Sequence, residues 1–272
     1  MKFAICNEIF KGWDMPRVFQ FVKQCGYDGL EIAPFTIARQ VTAISKETRS
    51  GLRELSAKYG LAITGIHWVL VETEGIYLTS NDPVVRSRSA SYFCDLVRFC
   101  SDIGGSTIVV GSPKQRNLLP GVAYQEAWKY ALETFQTSVR EAEKRGLTIC
   151  LEPLSPAETD FINTAEEAVQ FAGELNSPAM SVILDVKAMC SEKKSIPEII
   201  TSVEGKFSYF HANDRNLKGP GFGDVEYGPI VDALRKAKYE GYVSVEVFNF
   251  EEGPEAIASR SLNYLRRVFA LG

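Results

Sequence analysis

Four short apolar runs in the second half of the chain each end on a side chain that can bind a metal ion. Each run is rich in β-branched, aromatic or leucine residues and stops at a Glu, Asp or His, in the order Thr148–Glu152, Ser181–Asp185, Phe207–His211 and Val243–Glu246. Such runs are typical of buried parallel strands, whose carboxyl ends face the edge of the sheet where ligands bind. The sequence therefore predicts that three carboxylates and one imidazole converge on a divalent cation, and we name them the four-ligand set: Glu152, Asp185, His211 and Glu246.

The donor types of the four-ligand set indicate which ion and which substrate suit the site. Structural zinc sites use mainly Cys and His and close their tetrahedron, whereas oxygen donors suit harder ions. We therefore expect one divalent metal ion as cofactor, with Mn2+ as the first choice and Mg2+, Co2+ or Zn2+ as alternatives. Three carboxylates on one dication leave a charge of about −1, which favours a neutral polyol or keto-sugar over a highly anionic substrate. A phosphate that binds in a separate pocket remains compatible with this argument.

The elements that must position these residues alternate regularly between strand and helix. Further strands are predicted at residues 2–6, 27–33, 61–67 and 106–110, and capping or stop residues such as Asp14, Gly60, Gly146 and Thr164 mark the helices between them. Eight strand–helix units without a linker predict an α/β fold, a (β/α)8 TIM barrel formed as a single domain by residues 1–272. The alternative is a doubly wound open sheet, but its usual G-x-G-x-x-G motif does not follow the first strand.

The strand order places Glu152 and Glu246 on opposite sides of the expected site. They end the fifth and eighth strands, three positions apart in a ring of eight, so a substrate on the metal would have one carboxylate on each face. Two such groups flanking a carbon next to a carbonyl suit proton removal and return, while the metal stabilises the enediolate by several kcal/mol. Glu152 and Glu246 are therefore the candidate catalytic residues.

Composition excludes several classes of function. The net charge is −4 and no Lys/Arg-rich run is present, which argues against a nucleic-acid partner. No apolar stretch approaches the roughly 20 residues of a membrane helix, and the first residues do not form a signal peptide. The six cysteines lie within strand and helix patterns and form no C-x-x-C pair, so we expect reduced thiols in a cytoplasmic protein. The expected partner is a small-molecule sugar substrate, and assembly into a homo-oligomer remains open.

Several motifs together resemble the xylose-isomerase-like barrels, in the sugar-phosphate isomerase/epimerase group that includes the ketose 3-epimerases and hydroxypyruvate isomerases. The resemblance covers nearly the whole chain, and its most specific parts are Leu151-Glu-Pro153, Leu184-Asp185, Phe210-His-Ala-Asn-Asp214 with the following Gly-Pro-Gly-Phe-Gly-Asp224, and Val245-Glu246. It implies that the four-ligand set binds the metal and that Glu152 and Glu246 form the acid/base pair. It also implies that Glu158, six residues after Glu152, contacts the substrate.

The chain departs from the ketose 3-epimerases at two positions. Those enzymes have a His three residues after the metal-binding Asp, where this chain has Ala188, and an Arg six residues after the metal-binding His, where it has Leu217. Arg215 lies two residues earlier and is a candidate replacement. Because both missing groups hold the reacting end of the substrate, metal binding is better supported than 3-epimerisation itself.

Other residues are candidates by position. His67 ends the third strand and is expected at the mouth of the barrel, where it would bind substrate hydroxyls with Glu158. Lys187, two residues after Asp185, is either a substrate-binding cation or a surface lysine, and Trp13 can stack on a sugar or belong to the core or an interface. Glu31, near the end of the second strand, is expected to support the site without binding the metal.

Four functions compete for this pattern. The first is a metal-dependent isomerase or epimerase of a ketose or related keto-sugar, and the second is a lyase or dehydratase that acts on an oxidised sugar with the same metal site. An endonuclease IV-like phosphodiesterase needs three metals and more His ligands than the two histidines present. A barrel that only binds a ligand would not need the complete four-ligand set. The sequence therefore favours the isomerase or epimerase, with the lyase as the alternative.

Overall fold

The computed structural model describes residues 1–271, so Gly272, the last residue of the predicted domain, lies outside the described residues. Eight parallel strands close into a barrel in which each strand pairs with its neighbours in chain order and β1 pairs with β8. The strands are β1 Lys2–Cys6, β2 Gly29–Ile32, β3 Ala62–Ile66, β4 Thr107–Val110, β5 Thr148–Leu151, β6 Met180–Asp185, β7 Phe207–Ala212 and β8 Tyr242–Val245. The predicted (β/α)8 barrel is confirmed, and the open doubly wound sheet is excluded.

Helices in the described residues lie between successive strands and after the last one. They are α1 Met15–Cys25, α2 Lys46–Tyr59, α3 Pro83–Asp102, α4 Tyr124–Arg145, α5 Ala165–Leu175, α6 Val186–Met189, α7 Ile196–Ser202, α8 Tyr227–Lys236 and α9 Pro254–Ala270. Their ends agree with the sequence signals: Asp14 accepts a hydrogen bond from the Arg17 N–H, and Thr164 and Glu167 form a capping box. None of these helices, in residues 1–271, is both long and apolar enough to span a membrane.

Two short helices and several strand ends differ from the sequence prediction. The segment between β6 and β7 forms α6 and α7, which have four and seven residues and are too short to show a helical period. Strand β2 begins at Gly29 instead of residue 27, because the Tyr27 N–H still donates to the Val22 carbonyl of α1 at 3.3 Å. Glu152, Glu246 and His67 each lie one residue beyond the strand that the sequence predicts to contain them.

The barrel interior follows from the alternation of side chains along each strand. Cys150 lies two residues before Glu152 on the same face, and Ile183 and Tyr209 have the same relation to Asp185 and His211. Together with Val109 these residues form a small buried cluster, separate from the larger core that contacts the helices. Glu152, Asp185 and His211 therefore lie directly above an apolar layer, whereas the residue two before Glu246 is the polar Ser244. All six cysteines are free thiols, as predicted.

The glycine-rich loop after β7 packs against the rest of the fold. A Cβ on Gly221 would lie 2.6 Å from the Tyr264 ring of α9, and a Cβ on Gly223 would lie 2.2 Å from a carboxylate oxygen of Asp214. Asp214 accepts a hydrogen bond from the Val225 N–H at 3.0 Å, which closes the loop ahead of α8. The loop is therefore an ordered crossover to α8.

Candidate metal centre and active site

The four-ligand set lies at the mouth of the barrel, and one donor atom from each member lies within 4.8 Å of all the others. Asp185 and His211 are register partners on β6 and β7, while Glu152 and Glu246 directly follow β5 and β8. Their relative exposures range from 0 to 5%. The structure thus brings together the four residues that the sequence predicts as metal ligands, and it does so in a site shielded from water.

The two nitrogens of His211 have different surroundings. Nε2 forms a hydrogen bond of 3.1 Å with Oε2 of Glu31, so Nε2 carries the donated proton. Nδ1 lies 3.1 Å from Oε2 of Glu246, but neither atom has hydrogen-bond geometry with any partner in residues 1–271. Metal-binding histidines usually donate one nitrogen to a carboxylate and bind the ion with the other. The donor set therefore fits a divalent cation.

Asp185 is oriented by donors on both of its oxygens. The Ala188 N–H donates to Oδ1 at 2.7 Å, and the Asn213 side-chain amide donates to Oδ2 at 2.5 Å. Asn213 is itself held, because its Oδ1 accepts from the Lys187 N–H at 2.8 Å. The direction of the Asp185 carboxylate is therefore set by protein groups.

Glu246 contacts two residues that follow β3. The indole N–H of Trp68 donates to Oε1 at 2.7 Å, and Nδ1 of His67 lies 3.3 Å from the same oxygen. On the other side of the His67 ring, Nε2 lies 2.9 Å from Oε2 of Glu8. This separation is an ion-pair distance, but the two groups are not aligned for a hydrogen bond. The fully buried His67 ring therefore lies between two carboxylates, and this placement favours a role through Glu246 over direct contact with a substrate.

Glu31 forms the floor beneath His211. Its Oε2 accepts hydrogen bonds from Ser244 Oγ at 2.7 Å and from the Tyr209 hydroxyl at 3.1 Å, in addition to the His211 contact. Burial raises the pKa of the neighbouring Cys6 to about 12, which keeps it a thiol. These contacts hold Glu31 against His211, in line with the supporting role that its position near a strand end allows. A second group has donor atoms that all lie within 4.8 Å of one another, and it consists of Cys6, Glu31, His67 and His211.

The two candidate catalytic carboxylates differ in pKa. Burial, with the nearby carboxylates of Glu246 and Asp185, raises the pKa of Glu152 to about 8. Burial alone would also raise the pKa of Glu246, but the adjacent His211 and His67 lower it well below its usual range. In the metal-free protein near neutral pH, Glu152 is therefore protonated and Glu246 is ionised.

A cavity of about 300 Å³, here called the metal pocket, opens above these carboxylates. Glu158 accepts hydrogen bonds from Lys187 Nζ and from Ser155 Oγ, both at 2.7 Å. The ammonium of Lys187 lies 4.0 Å from the centroid of the Phe248 ring. Burial would raise the pKa of Glu158, but its contact with Lys187 lowers it, so the pair is ionised. The polar and aromatic lining includes Glu152, Glu246, Glu158, Lys187, Trp68 and Phe248.

The remaining predicted residues lie elsewhere. Trp13 is half-buried in an adjoining cavity of about 640 Å³, here called the aromatic chamber and lined among others by Glu8, Trp13, Phe35, Trp68, Glu72 and Phe250. The guanidinium of Arg17 lies 3.5 Å from the Trp13 ring centroid. Arg215 is exposed and lines a separate surface cavity with Cys190 and Asp224. The structure does not bring Arg215 to the four-ligand set, and its role in substrate binding remains a prediction.

Arg116 was missed by the sequence reasoning and lies beneath the site. Its side chain is fully buried, and its two terminal nitrogens donate to the carbonyls of Glu152 at 2.7 Å and Ile162 at 3.3 Å. Burial lowers its pKa to about 10, so it remains charged. Because it lies in an irregular loop after β4, no periodic pattern indicates its burial.

Trp68, Asn213 and Glu8 were also missed. Trp68 has a positive φ of 51°, so its indole direction cannot be inferred from strand alternation. Asn213 lies two residues after His211 on the same face, a spacing that was available as a signal. Glu8 lies two residues after β1, in a 3-10 turn over Asn7–Phe10, so it too is close to a strand end.

Comparison with known proteins identifies the family of the chain. The family model described as xylose isomerase-like TIM barrel matches residues 19–268. A probable ketose 3-epimerase from Synechocystis sp. is 25% identical over 275 residues, covering 93% of this chain and 90% of that protein. A 3-dehydro-D-guloside 4-epimerase from Escherichia coli is 22% identical, and the alignment covers 98% of this chain and 99% of that protein.

Solved structures agree at the level of the fold. The D-psicose 3-epimerase of Clostridium cellulolyticum H10, determined with D-tagatose, superposes with a TM-score of 0.86. The alignment covers 99% of each chain at 23% sequence identity. The barrel, its length and its closure are therefore shared with that enzyme.

Proposed function

The chain belongs to the xylose isomerase-like TIM barrel family, and on this premise we propose that it is a divalent-metal-dependent epimerase of a keto-sugar. The observation that carries the proposal is the buried four-ligand set, in which Glu152 and Glu246 contribute donor atoms within 4.8 Å of each other. The relatives that match most of the chain include sugar epimerases named for positions 3 and 4. They support epimerisation of a sugar, and neither position is favoured here.

The metal would be held by the four-ligand set, with Mn2+ as the proposed ion because oxygen donors outnumber the single nitrogen. When bound, such an ion polarises a carbonyl and stabilises negative charge on neighbouring oxygens. The unpartnered atoms Nδ1 of His211 and Oε2 of Glu246 support this assignment, since buried polar atoms normally have a partner.

Glu152 and Glu246 are proposed to move the proton. A substrate between them presents the hydrogen next to its carbonyl to one carboxylate, and the other carboxylate supplies a proton to the opposite face. The carbon is thereby inverted through an enediolate. Each residue is the base in one direction of the reaction and the acid in the other.

Glu158 and Lys187 are proposed to orient the substrate. Both line the metal pocket, and their ion pair presents an acceptor and a donor to sugar hydroxyls. Phe248 lies beneath the Lys187 ammonium and stacks on Trp68, so it holds both groups in place at the edge of the metal pocket. Ala188 and Leu217 replace the His and Arg expected of ketose 3-epimerases, so we propose that the reacting end is held differently here.

The decisive experiment measures metal content and then solvent exchange. The purified protein is analysed for bound metals, reconstituted with Mn2+ and incubated in D2O with D-fructose, D-psicose, L-ribulose and a 3-keto-D-glucoside. Epimerisation places deuterium at the inverted carbon, and chelation abolishes the exchange. A substrate that is converted with complete retention of its hydrogen would overturn the mechanism, and an unsaturated product would establish the lyase instead.

A further inference from the structure

Two cavities open side by side at the mouth of the barrel. The metal pocket, of about 300 Å³, lies at the lower end of the range of about 300–1,000 Å³ that is usual for small-molecule sites. The aromatic chamber next to it has about 640 Å³. Trp68 and Glu72 line both cavities, so they form the boundary between them. A single sugar ring in the metal pocket would leave the larger cavity unused.

The walls of the chamber suit the apolar face of a sugar ring. Five aromatic side chains line it: Phe10, Trp13, Phe35, Trp68 and Phe250. Trp68 is stacked between Phe35, at a centroid distance of 5.6 Å, and Phe248, at 5.8 Å. One aromatic stack therefore runs from the chamber into the metal pocket. Phe250 is 42% exposed, so its ring is open to a ligand in the chamber.

The polar groups of the chamber select against anions. Glu8 is 5% exposed, and its Oε1 has no hydrogen-bond partner among the residues that the structure describes. Glu8 therefore contributes an acidic group to the wall of the chamber. Asp14 and Glu72 add two further carboxylates, against the single ammonium of Lys11. A neutral, hydroxylated ring fits these charges, whereas a phosphate does not.

We propose that the aromatic chamber binds the second, neutral ring of a keto-glycoside whose keto-sugar ring occupies the metal pocket. This inference rests on the proposed function, because the second ring is defined by its link to the reacting ring. The substrate class is then a 3-keto-disaccharide or a related aryl glycoside, and a free ketose or a sugar phosphate is a poorer substrate.

The kinetic test compares two compounds that share the reacting ring. Methyl 3-keto-β-D-glucoside fits the metal pocket alone, while 3-keto-cellobiose adds a second glucose ring. We expect the wild-type kcat/KM to be about tenfold higher for the disaccharide, since stacking on one or two aromatic rings contributes about that factor. Phe250→Ala removes one wall and Ile37→Trp fills the chamber, so both should bring this ratio close to one. Val84→Ala, at an exposed apolar residue of α3, is the matched control and should retain the wild-type ratio.

A binding measurement tests the chamber without turnover. Two of the three tryptophans line the chamber, whereas Trp128 packs against Phe171 on α4 and α5. Titration with cellobiose should therefore change the intrinsic fluorescence, and Phe250→Ala should weaken the apparent affinity about tenfold. If neither keto compound reacts but cellobiose binds in this way, the proposed function fails and the chamber remains a sugar site.

Two results would overturn the inference while epimerisation stands. One is an equal kcat/KM for the two keto compounds together with no response to cellobiose. The other is a wild-type dimer that Phe250→Ala converts into a monomer, because a second copy of the chain would then cover the chamber.

Discussion

Metal binding should release protons, and Glu152 should account for nearly one of them at pH 7. The metal-free site holds a protonated Glu152, whose pKa burial and the neighbouring carboxylates raise to about 8. A carboxylate must lose its proton to bind a metal ion, so binding and deprotonation are coupled. Glu152→Gln keeps the size of the side chain but has no such proton to lose.

The magnitude follows from the raised pKa. A group with a pKa of about 8 is about 90% protonated at pH 7 and about 25% protonated at pH 8.5. Its contribution to proton release should therefore fall from about 0.9 to about 0.2 between these pH values. Burial lowers the pKa of His211, but Glu246 and Glu31 raise it well above the usual range, so a proton that His211 releases is common to the wild type and to Glu152→Gln.

The assay is calorimetric titration of the chelator-treated protein with Mn2+ in buffers of different ionisation enthalpy. The slope of the observed enthalpy against buffer enthalpy gives the number of protons released. The wild type should release about 0.9 more protons than Glu152→Gln at pH 7, and the difference should nearly vanish at pH 8.5. Glu158→Gln, at a residue outside the four-ligand set, is the matched control. A wild-type release that is constant or increases with pH would refute the reasoning, even if Glu152→Gln binds metal too weakly to titrate.

Three further predictions test neighbouring parts of the site. Glu158→Gln should lower kcat/KM about ten- to a hundredfold with metal content unchanged, the usual effect of losing a charged hydrogen bond; a parallel loss of metal would contradict its proposed role. Trp68→Phe keeps the aromatic stack but removes the donor to Glu246, so kcat should fall about tenfold while the urea midpoint changes little; unchanged kcat would show that the contact is incidental. Arg116→Met should lower the free energy of unfolding in urea by about 2 kcal/mol because the Glu152 and Ile162 carbonyls lose their donor. Arg53→Met at an exposed site of α2 is its control, and equal effects of the two would refute that account.

The metal-ligand candidates that sequence reasoning found share one property: each lies at a strand end in a regular repeat. Strand length and alternation alone bring Glu152, Asp185, His211 and Glu246 to one edge of the sheet. Closing the barrel adds contacts that no local pattern encodes. Glu31 and His211 are 180 positions apart in the chain, and their contact exists because β2 and β7 face each other across the interior.

The residues that were missed depend on the paths of loops. Trp68 reaches Glu246 because the backbone takes a left-handed turn directly after His67. Arg116 reaches the Glu152 carbonyl from a loop that forms only a short 3-10 turn before it. A buried arginine in a polar loop looks like a surface residue in the sequence, since Arg is seldom fully buried. These supporting contacts therefore could not be predicted from the sequence.

The contacts around the two carboxylates explain why they differ in protonation. Glu246 is held by the Trp68 N–H and lies beside two imidazoles, so its ionised form is stabilised although it is buried. Glu152 lies against Gly111, where a Cβ would approach Oε2 to 2.3 Å, and the backbone there leaves no room for a side chain that could donate to it. His211 and Lys187 offset the effect of burial on Glu152 only in part, so the proton stays on. A bound dication would stabilise the ionised form of Glu152, and the proton affinities of the two groups would become closer. Near-equal affinities are what reversible transfer between the two faces of one carbon requires, since a proton bound much more tightly on one side would not return.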